Sequence, residues 1–437
     1  MRGAMTDRWK TLVDERYPAE RSLLLRYHRV LERLDSRIEI SLPELEACSI
    51  SEGATVSFLA EHRGVEIRVC DESSLMTTGT YKDLDACLTT AMARRAGIAE
   101  VVVSSGGNLG YALSVYGERA GLRSFFFHPR TTLYKLDAAS FAWGGARLIC
   151  ADLPERQVKS LALAFARRHG LLHVPDLRWR LAASAVRALF LLEQMAGPGG
   201  QVDAIAQAVC AGYGPVGIYG CWSMLAREGL LSPDRAPRFL GFQQEANAPM
   251  ARAFRAGDRE LDDRHVQPRP EEYIEPGLYN ASPRATYPLL YDLVTRHGGD
   301  VGVISAADYA AHRDRLIEWF RAAGHELTRA PGRGDEILEK AGLLTGVGIL
   351  KAIEAGQLRP GERVLWLLTG GFRKMRAAAP PVPDAAVDAS LPEPAWVEEL
   401  GRRFGLSPPQ RAVLDAMDAA VPASRCLVPA GPGPCAR

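Results

Sequence analysis

The sequence predicts an α/β protein built from two parallel-sheet lobes, and two observations support this prediction. Short runs rich in β-branched residues alternate with Ala-, Leu- and Arg-rich stretches over most of the chain. This alternation is typical of parallel sheets with helices on both faces. The length of 437 residues also exceeds what one simple core usually holds, so we expect a bilobed molecule with a cleft.

The elements follow one another in a regular order. Strands are predicted at VEIRVC (65–70), EVVVSS (100–105), RSFFFHP (123–129), ARLICAD (146–152), AIAQAV (204–209), RFLGFQQEA (238–246) and RVLWLLTGG (363–371). The polar, proline-bearing stretch 251–300 is expected to be a surface excursion or a lid. We expect a helical N-terminal segment (1–45), a large lobe (46–90 with 190–376), a small lobe (91–189), and a linker with a short helical tail (377–437).

Composition excludes several classes of partner. The chain has 53 basic and 52 acidic residues, so no bulk charge would attract nucleic acid or a membrane surface. Its eight cysteines are scattered, without metal-ligand spacing, and no metal is expected. The N-terminus lacks the apolar run of a signal peptide, and no apolar stretch reaches about 18 residues. We therefore expect a cytoplasmic protein with a small-molecule substrate.

One lysine follows a turn of small residues in MTTGTYKD (76–83). The simplest interpretation is a helix start, in which Thr80 caps the helix and Lys82 is a solvated charge. The alternative is chemical, because a partly desolvated lysine at a strand end can act as a nucleophile or form a Schiff base.

Two further loops lie between a predicted strand and a predicted helix. SSGGNLG (104–110) offers hydroxyls, amides and a helix N-terminus, which suit a carboxylate or phosphate. CAGYGPVGIYG (210–220) resembles a phosphate cradle of backbone amides, although its glycines could also serve only a tight turn. An imine-forming lysine, a carboxylate loop and a phosphate loop together match pyridoxal 5'-phosphate, which carries an aldehyde, a ring hydroxyl and a phosphate.

With these motifs, the chain from about residue 50 to 375 resembles the fold type II (tryptophan synthase β-like) pyridoxal-phosphate enzymes, and among them the threonine synthases. CDESSLMTTGTYKD (70–83) is similar to the family's K-D-E-x-x-x-P-T-G-S-F-K-D, and SSGGNLGYALSVYGERAGL (104–122) to its S-S-G-N-T-G motif. The resemblance implies two α/β lobes with the cofactor in the cleft between them, the large lobe carrying most of its contacts, and a homodimer.

The resemblance also implies roles for individual residues. Lys82 would bind the cofactor covalently and act in catalysis, Asn108 would lie beside the ring hydroxyl, and Thr369 would face the pyridine nitrogen. A neutral partner at that nitrogen favours side-chain elimination and replacement over transamination. The remaining cofactor contacts would come from the glycine loop: Gly212, Tyr213, Gly214, Pro215, Val216 and Gly217. The substrate carboxylate would be held by Ser105, Gly106 and Leu109.

The substrate pocket departs from the threonine synthase pattern. Val174 and Pro175 replace an asparagine–serine pair that holds the substrate phosphate, and Arg180 remains, with Arg178 as a second possible anion contact. We therefore predict elimination or replacement at the β- or γ-position of an amino acid, with O-phosphohomoserine a poor substrate. A genuine threonine synthase, and a non-catalytic regulatory protein that binds pyridoxal phosphate, are the alternatives.

Overall fold

A computed structural model describes most of the chain. The described residues are 8–34, 38–136, 138–141, 145–174, 177–197, 200–232, 236–280, 283–325, 327–329, 337, 340–370, 380–387 and 393–406. Among the helices in these ranges, none has the length and apolar character needed to cross a membrane.

The larger sheet has six strands in the order β1-β2-β10-β7-β8-β9. β1 pairs antiparallel with β2, and the other neighbours are parallel. Its strands are β1 (Thr55–His62), β2 (Val65–Asp71), β7 (Ala204–Ala208), β8 (Arg238–Gln244), β9 (Asp300–Ile304) and β10 (Arg363–Leu368).

The smaller sheet has five parallel strands in the order β11-β5-β4-β3-β6. Its strands are β3 (Glu100–Ser104), β4 (Arg123–Pro129), β5 (Ala146–Ala151), β6 (Leu172–Val174) and β11 (Ala385–Val387). The sequence alone predicts a linker at β11. The structure instead adds it to the sheet edge, where Asp384 exchanges hydrogen bonds with the backbone of Leu148.

Helices cover both faces of each sheet. They are α1 (Leu23–Arg26), α2 (Leu31–Leu34), α3 (Leu42–Cys48), α4 (Lys82–Arg95), α5 (Asn108–Arg119), α6 (Glu155–His169), α7 (Leu177–Ala196), α8 (Tyr213–Arg227), α9 (Pro249–Ala256), α10 (Tyr287–His297), α11 (Ala306–Ala322), α12 (Ala341–Glu354) and α13 (Glu393–Arg403). The predicted pair of parallel-sheet lobes is therefore confirmed.

The strands are buried on both faces, which explains why their sequences are continuous apolar runs. In β4, Phe125 and Phe127 pack into the hydrophobic cluster that contains α6 and α13 residues, and Phe126 packs into the cluster on the opposite face. Successive side chains of a strand point to opposite faces, so a sheet covered twice needs apolar residues at every position. The carboxyl ends of such strands remain open, and the loops that leave them form the site.

Candidate active site

A cavity of about 980 Å³ lies where strand ends of both sheets meet. The turn at Lys82, the loop after β3, the loop after β7 and the residues after β10 all contribute to its lining. In parallel sheets, ligands bind at the carboxyl ends of the strands. The three loops predicted from the sequence therefore converge on one cavity.

The turn that carries Lys82 is tied to the end of β10. Thr80 Oγ1 donates to the Thr369 carbonyl at 3.0 Å, and the Tyr81 amide donates to the same carbonyl at 3.2 Å. Within the turn, the buried Asp83 carboxylate accepts the Thr78 amide at 2.8 Å. These bonds fix the start of α4, so Lys82 enters the cavity from a rigid base.

The Lys82 side chain is only 15% exposed and has polar neighbours. Its Nζ donates to the Tyr81 hydroxyl and lies 3.4 Å from Asp85 Oδ2. Asp85 is fully buried, one helical turn after Lys82. The predicted helix start is correct, because Lys82 is the first residue of α4, although Tyr81 and not Thr80 takes the N-cap position. The Lys82 amine lines the cavity and is not a solvated surface charge.

The loop after β3 presents backbone amides and hydroxyls to the cavity. Ser105, Gly106, Asn108 and Leu109 all line it, and Asn108 is the first residue of α5. The Gly106 amide donates to Glu155 Oε1 at 3.3 Å. The sequence predicts that this loop binds the carboxylate of a ligand. In the structure, the Glu155 carboxylate already accepts a hydrogen bond from the Gly106 amide of the loop.

Burial governs the charge of Glu155. Loss of hydration raises the pKa of this carboxyl to about 7, and the Gly106 hydrogen bond opposes part of that rise. Protonation of Glu155 near neutral pH would weaken the hydrogen bond that its carboxylate accepts from the Gly106 amide.

The glycine loop after β7 begins α8. Gly212 has φ +77°, a left-handed conformation that glycine adopts without strain, and it precedes the first helical residue. A Cβ at Gly214 would lie 2.7 Å from Arg187 Nη1 and 3.0 Å from Gln207 Nε2. The helix N-terminus and these close groups form a cradle that fits a phosphate.

Buried polar atoms behind this loop support that assignment. The fully buried guanidinium of Arg187 pairs with Glu72. Arg187 Nη1 and Gln207 Oε1 have no hydrogen-bond partner among the described residues. Within the described part of the chain, Nη1 thus leaves an unused N–H donor beneath the loop, while Glu72 balances the charge of the guanidinium. The attraction for an anion therefore comes from the amides at the helix N-terminus.

Three predicted residues lie away from the cavity lining. Val216 and Gly217 are buried in α8, and a Cβ at Gly217 would lie 2.6 Å from Ser184 Cβ, so this glycine allows α8 to pack against α7. Arg178 is on α7, outside the residues that line the cavity. The other predicted residues all line the cavity. They are Lys82, Ser105, Gly106, Asn108, Leu109, Arg180, Gly212, Tyr213, Gly214, Pro215 and Thr369.

Arg180 lines the cavity, but its guanidinium already contacts two other side chains of the protein. Its Nε lies 3.4 Å from Asp85 Oδ2, and its guanidinium carbon lies 3.7 Å from the centroid of the Tyr213 ring. Val174, beside it in the lining, is apolar and buried. Pro175 lies outside the described residues.

Sequence reasoning missed Asp85, Tyr81, Glu155, Arg187 and Gln207. Asp85 follows Lys82 by three residues, a helical spacing that could have identified it, and Tyr81 is the residue directly before Lys82. The other three come from distant segments, and only the folded chain brings them to the loops.

These residues fit pyridoxal phosphate. Lys82 would hold its aldehyde, the amides of Gly212, Tyr213 and Gly214 its phosphate, Asn108 its ring hydroxyl, and Thr369 its pyridine nitrogen, whereas Pro215 has no N–H to donate. Such a fold and site define a class of enzyme that uses a lysine-bound cofactor in a cleft between two α/β lobes.

Comparison with known proteins identifies the family. The family of pyridoxal-phosphate dependent enzymes matches residues 54–370, which is most of the chain. The protein therefore belongs to this family, and it is a pyridoxal-phosphate dependent enzyme.

Similar proteins include synthases and lyases of amino acids. A cysteate synthase from Methanosphaerula palustris is 28% identical, over 68% of this chain and 67% of that protein. A threonine synthase from Synechocystis sp. is 28% identical, over 44% of this chain and 49% of that protein, so the match spans about half of that relative.

Solved structures share the fold. A threonine deaminase from T.th. has a TM-score of 0.53 at 20% identity, with 72% of this chain and 89% of that chain covered. Diaminopropionate ammonia lyase from Escherichia coli has a TM-score of 0.56 at 16% identity, with 77% and 92% covered. The resemblance to fold type II enzymes predicted from the sequence is confirmed.

Proposed function

We propose that the protein catalyses elimination or replacement at the side chain of a small amino acid. The observation that supports this most directly is the placement of Lys82, which enters one cavity together with the Ser105–Leu109 loop, the glycine loop and Thr369. The names of the similar proteins, cysteate synthase, threonine synthase and ammonia lyase, are consistent with this reaction class.

Each residue has a defined task in the proposed reaction. The Ser105 hydroxyl and the Gly106 amide would bind the substrate carboxylate, displacing Glu155 from the Gly106 amide. Lys82 Nζ would accept the proton from the substrate Cα. When bound, pyridoxal phosphate supplies an electron sink for the charge that develops at Cα.

Thr369 sets the kind of chemistry. Its backbone carbonyl is held by Thr80 and Tyr81, so its position relative to Lys82 is fixed. A hydroxyl cannot stabilise a protonated ring nitrogen as a carboxylate would, and this favours loss of a side-chain group over transamination.

The substrate side chain is proposed to carry a β- or γ-leaving group other than phosphate. Val174 offers no hydrogen bond to a phosphate, and Arg180 is already paired with Asp85. Threonine synthesis from O-phosphohomoserine is the second candidate, supported by the Synechocystis relative.

A spectral titration of the holoenzyme tests the proposal. Serine, threonine, O-acetylserine, O-phosphoserine and O-phosphohomoserine are added in turn, and the cofactor absorbance and the released products are measured. We expect at least one unphosphorylated amino acid to react with the largest kcat/KM. If none of the five changes the cofactor absorbance, the proposed function is wrong. If O-phosphohomoserine gives threonine most efficiently, the second candidate is correct.

We also propose a cytoplasmic homodimer. Five of the six cysteines in the described residues are buried, and all six are free thiols, which suits a reducing compartment. Light scattering of the purified holoenzyme tests the assembly, and a monomer mass would contradict it.

A further inference from the structure

Asp85 and Arg180 form an ion pair at the wall of the cavity. Asp85 is fully buried, and Arg180 is 13% exposed. Asp85 Oδ2 lies 3.4 Å from both Arg180 Nε and Lys82 Nζ, whereas Asp85 Oδ1 has no hydrogen-bond partner among the described residues. The carboxylate therefore depends on these two cations for its compensation.

Binding of the cofactor would strengthen this dependence. Lys82 would be the attachment point for pyridoxal phosphate and no longer a free ammonium group, which would leave Arg180 as the principal partner of the buried carboxylate. A buried charge without a counter-ion is strongly unfavourable. An anion that enters the cavity must therefore compete with Asp85 for Arg180.

The other buried pairs near the cavity are internally compensated. Lys135 pairs with Glu275, and Arg187 pairs with Glu72. Lys135 and Arg180 both line the cavity. Arg180 is the one whose carboxylate partner, Asp85, also contacts Lys82, so Asp85 controls its availability beside the reactive amine.

We propose that Asp85 is a specificity-determining residue that withholds Arg180 from anionic side chains, so that the site selects substrates whose leaving group is uncharged. This inference rests on the proposed function. It gives a second reason why the site would disfavour phosphorylated substrates. This reason is the charge of Asp85, and it is independent of the missing hydrogen bond at Val174.

Inorganic phosphate is the probe for the test, because its binding needs no reaction. Calorimetry measures its dissociation constant on the holoenzyme and on the variants Asp85→Asn, Arg180→Met and the double variant. Asp292→Asn is the matched control, since it removes the carboxylate of an arginine ion pair, with Arg259, outside the cavity lining. Cofactor absorbance verifies that each variant is loaded.

We expect Asp85→Asn to bind phosphate at least about tenfold more tightly, as one gained charge-assisted hydrogen bond implies. Asp292→Asn should give no such gain, and the double variant of Asp85 and Arg180 should lose it. Arg180→Met alone should leave the weak phosphate binding unchanged.

Three results would overturn the proposal. They are unchanged phosphate binding in loaded Asp85→Asn, a gain that persists in the double variant, and a tenfold loss in Arg180→Met alone. The last result decides the question even if Asp85→Asn does not fold. None of these measurements involves turnover, so failure of the proposed function would appear separately, in the amino-acid titration.

Discussion

Substitution of Gly214 by alanine places a methyl group against buried polar side chains beneath the glycine loop. The new Cβ would lie 2.7 Å from Arg187 Nη1 and 3.0 Å from Gln207 Nε2, which is closer than nonbonded atoms allow. Arg187 cannot move aside easily, because it is fully buried, paired with Glu72 and stacked 4.4 Å from the Tyr81 ring centroid. The glycine loop must therefore shift toward the cavity.

The magnitude follows from the hydrogen bonds that such a shift removes. Loss of one charge-assisted bond between a loop amide and the cofactor phosphate costs about 1.5–3 kcal/mol. This corresponds to a cofactor dissociation constant that rises about 10-fold to 150-fold. If the Arg187–Glu72 pair breaks instead, the free energy of unfolding falls by about 3–5 kcal/mol.

The assay is a titration of the apoprotein with pyridoxal phosphate, followed by absorbance, with urea unfolding measured in parallel. Gly220→Ala is the matched control on the same helix, because no atom lies within 4 Å of its Cβ position. Gly217→Ala should act differently, since its Cβ would meet Ser184 at 2.6 Å. We expect that variant to lose stability through the α7–α8 contact.

An unchanged cofactor affinity and an unchanged stability in Gly214→Ala would together refute the reasoning. The same is true if Gly220→Ala weakens cofactor binding as much as Gly214→Ala, because the effect would then not depend on the close contact.

Two further predictions concern the loops around Lys82. Glu155→Gln should be more stable than the parent at pH 8 and equally stable at pH 4. Burial raises the pKa of the Glu155 carboxyl from 4.5 to about 7. The native state of the parent therefore loses stability as the pH rises through that window, by at most about 3 kcal/mol. Urea unfolding at several pH values measures the difference, and a pH-independent difference would contradict the assignment. Thr80→Val removes the 3.0 Å hydrogen bond to the Thr369 carbonyl and should lower the free energy of unfolding by about 1 kcal/mol. Thermal unfolding with and without cofactor measures this loss. A variant as stable as the parent would show that the hydrogen bond does not stabilise the fold.

The parts of the site that the sequence predicts are local. The turn before Lys82 and the loop before Asn108 each join a strand to a helix within a few residues, so their position at a strand end follows from the order of elements. Their convergence does not follow from the order of elements, because the turn follows β2 of the larger sheet and the loop follows β3 of the smaller sheet. It depends on how the two sheets pack against each other.

The parts that sequence reasoning missed depend on distant segments. Arg180 meets Asp85 across 95 positions, and Glu155 reaches Gly106 across 49. The strand Ala385–Val387 has only three residues and is defined by its pairing with β5. No local propensity encodes such contacts, since each depends on how the lobes and helices pack.

The most direct test of the account is to identify the lysine that binds the cofactor. The holoenzyme is reduced with borohydride, digested and mapped by mass spectrometry, with Lys82→Ala as the control. We predict that the pyridoxyl label is found on Lys82 and that the variant takes up none and has no turnover, because its proton carrier is also lost. A label on another lysine, or full activity in Lys82→Ala, would contradict the assignment of the active site.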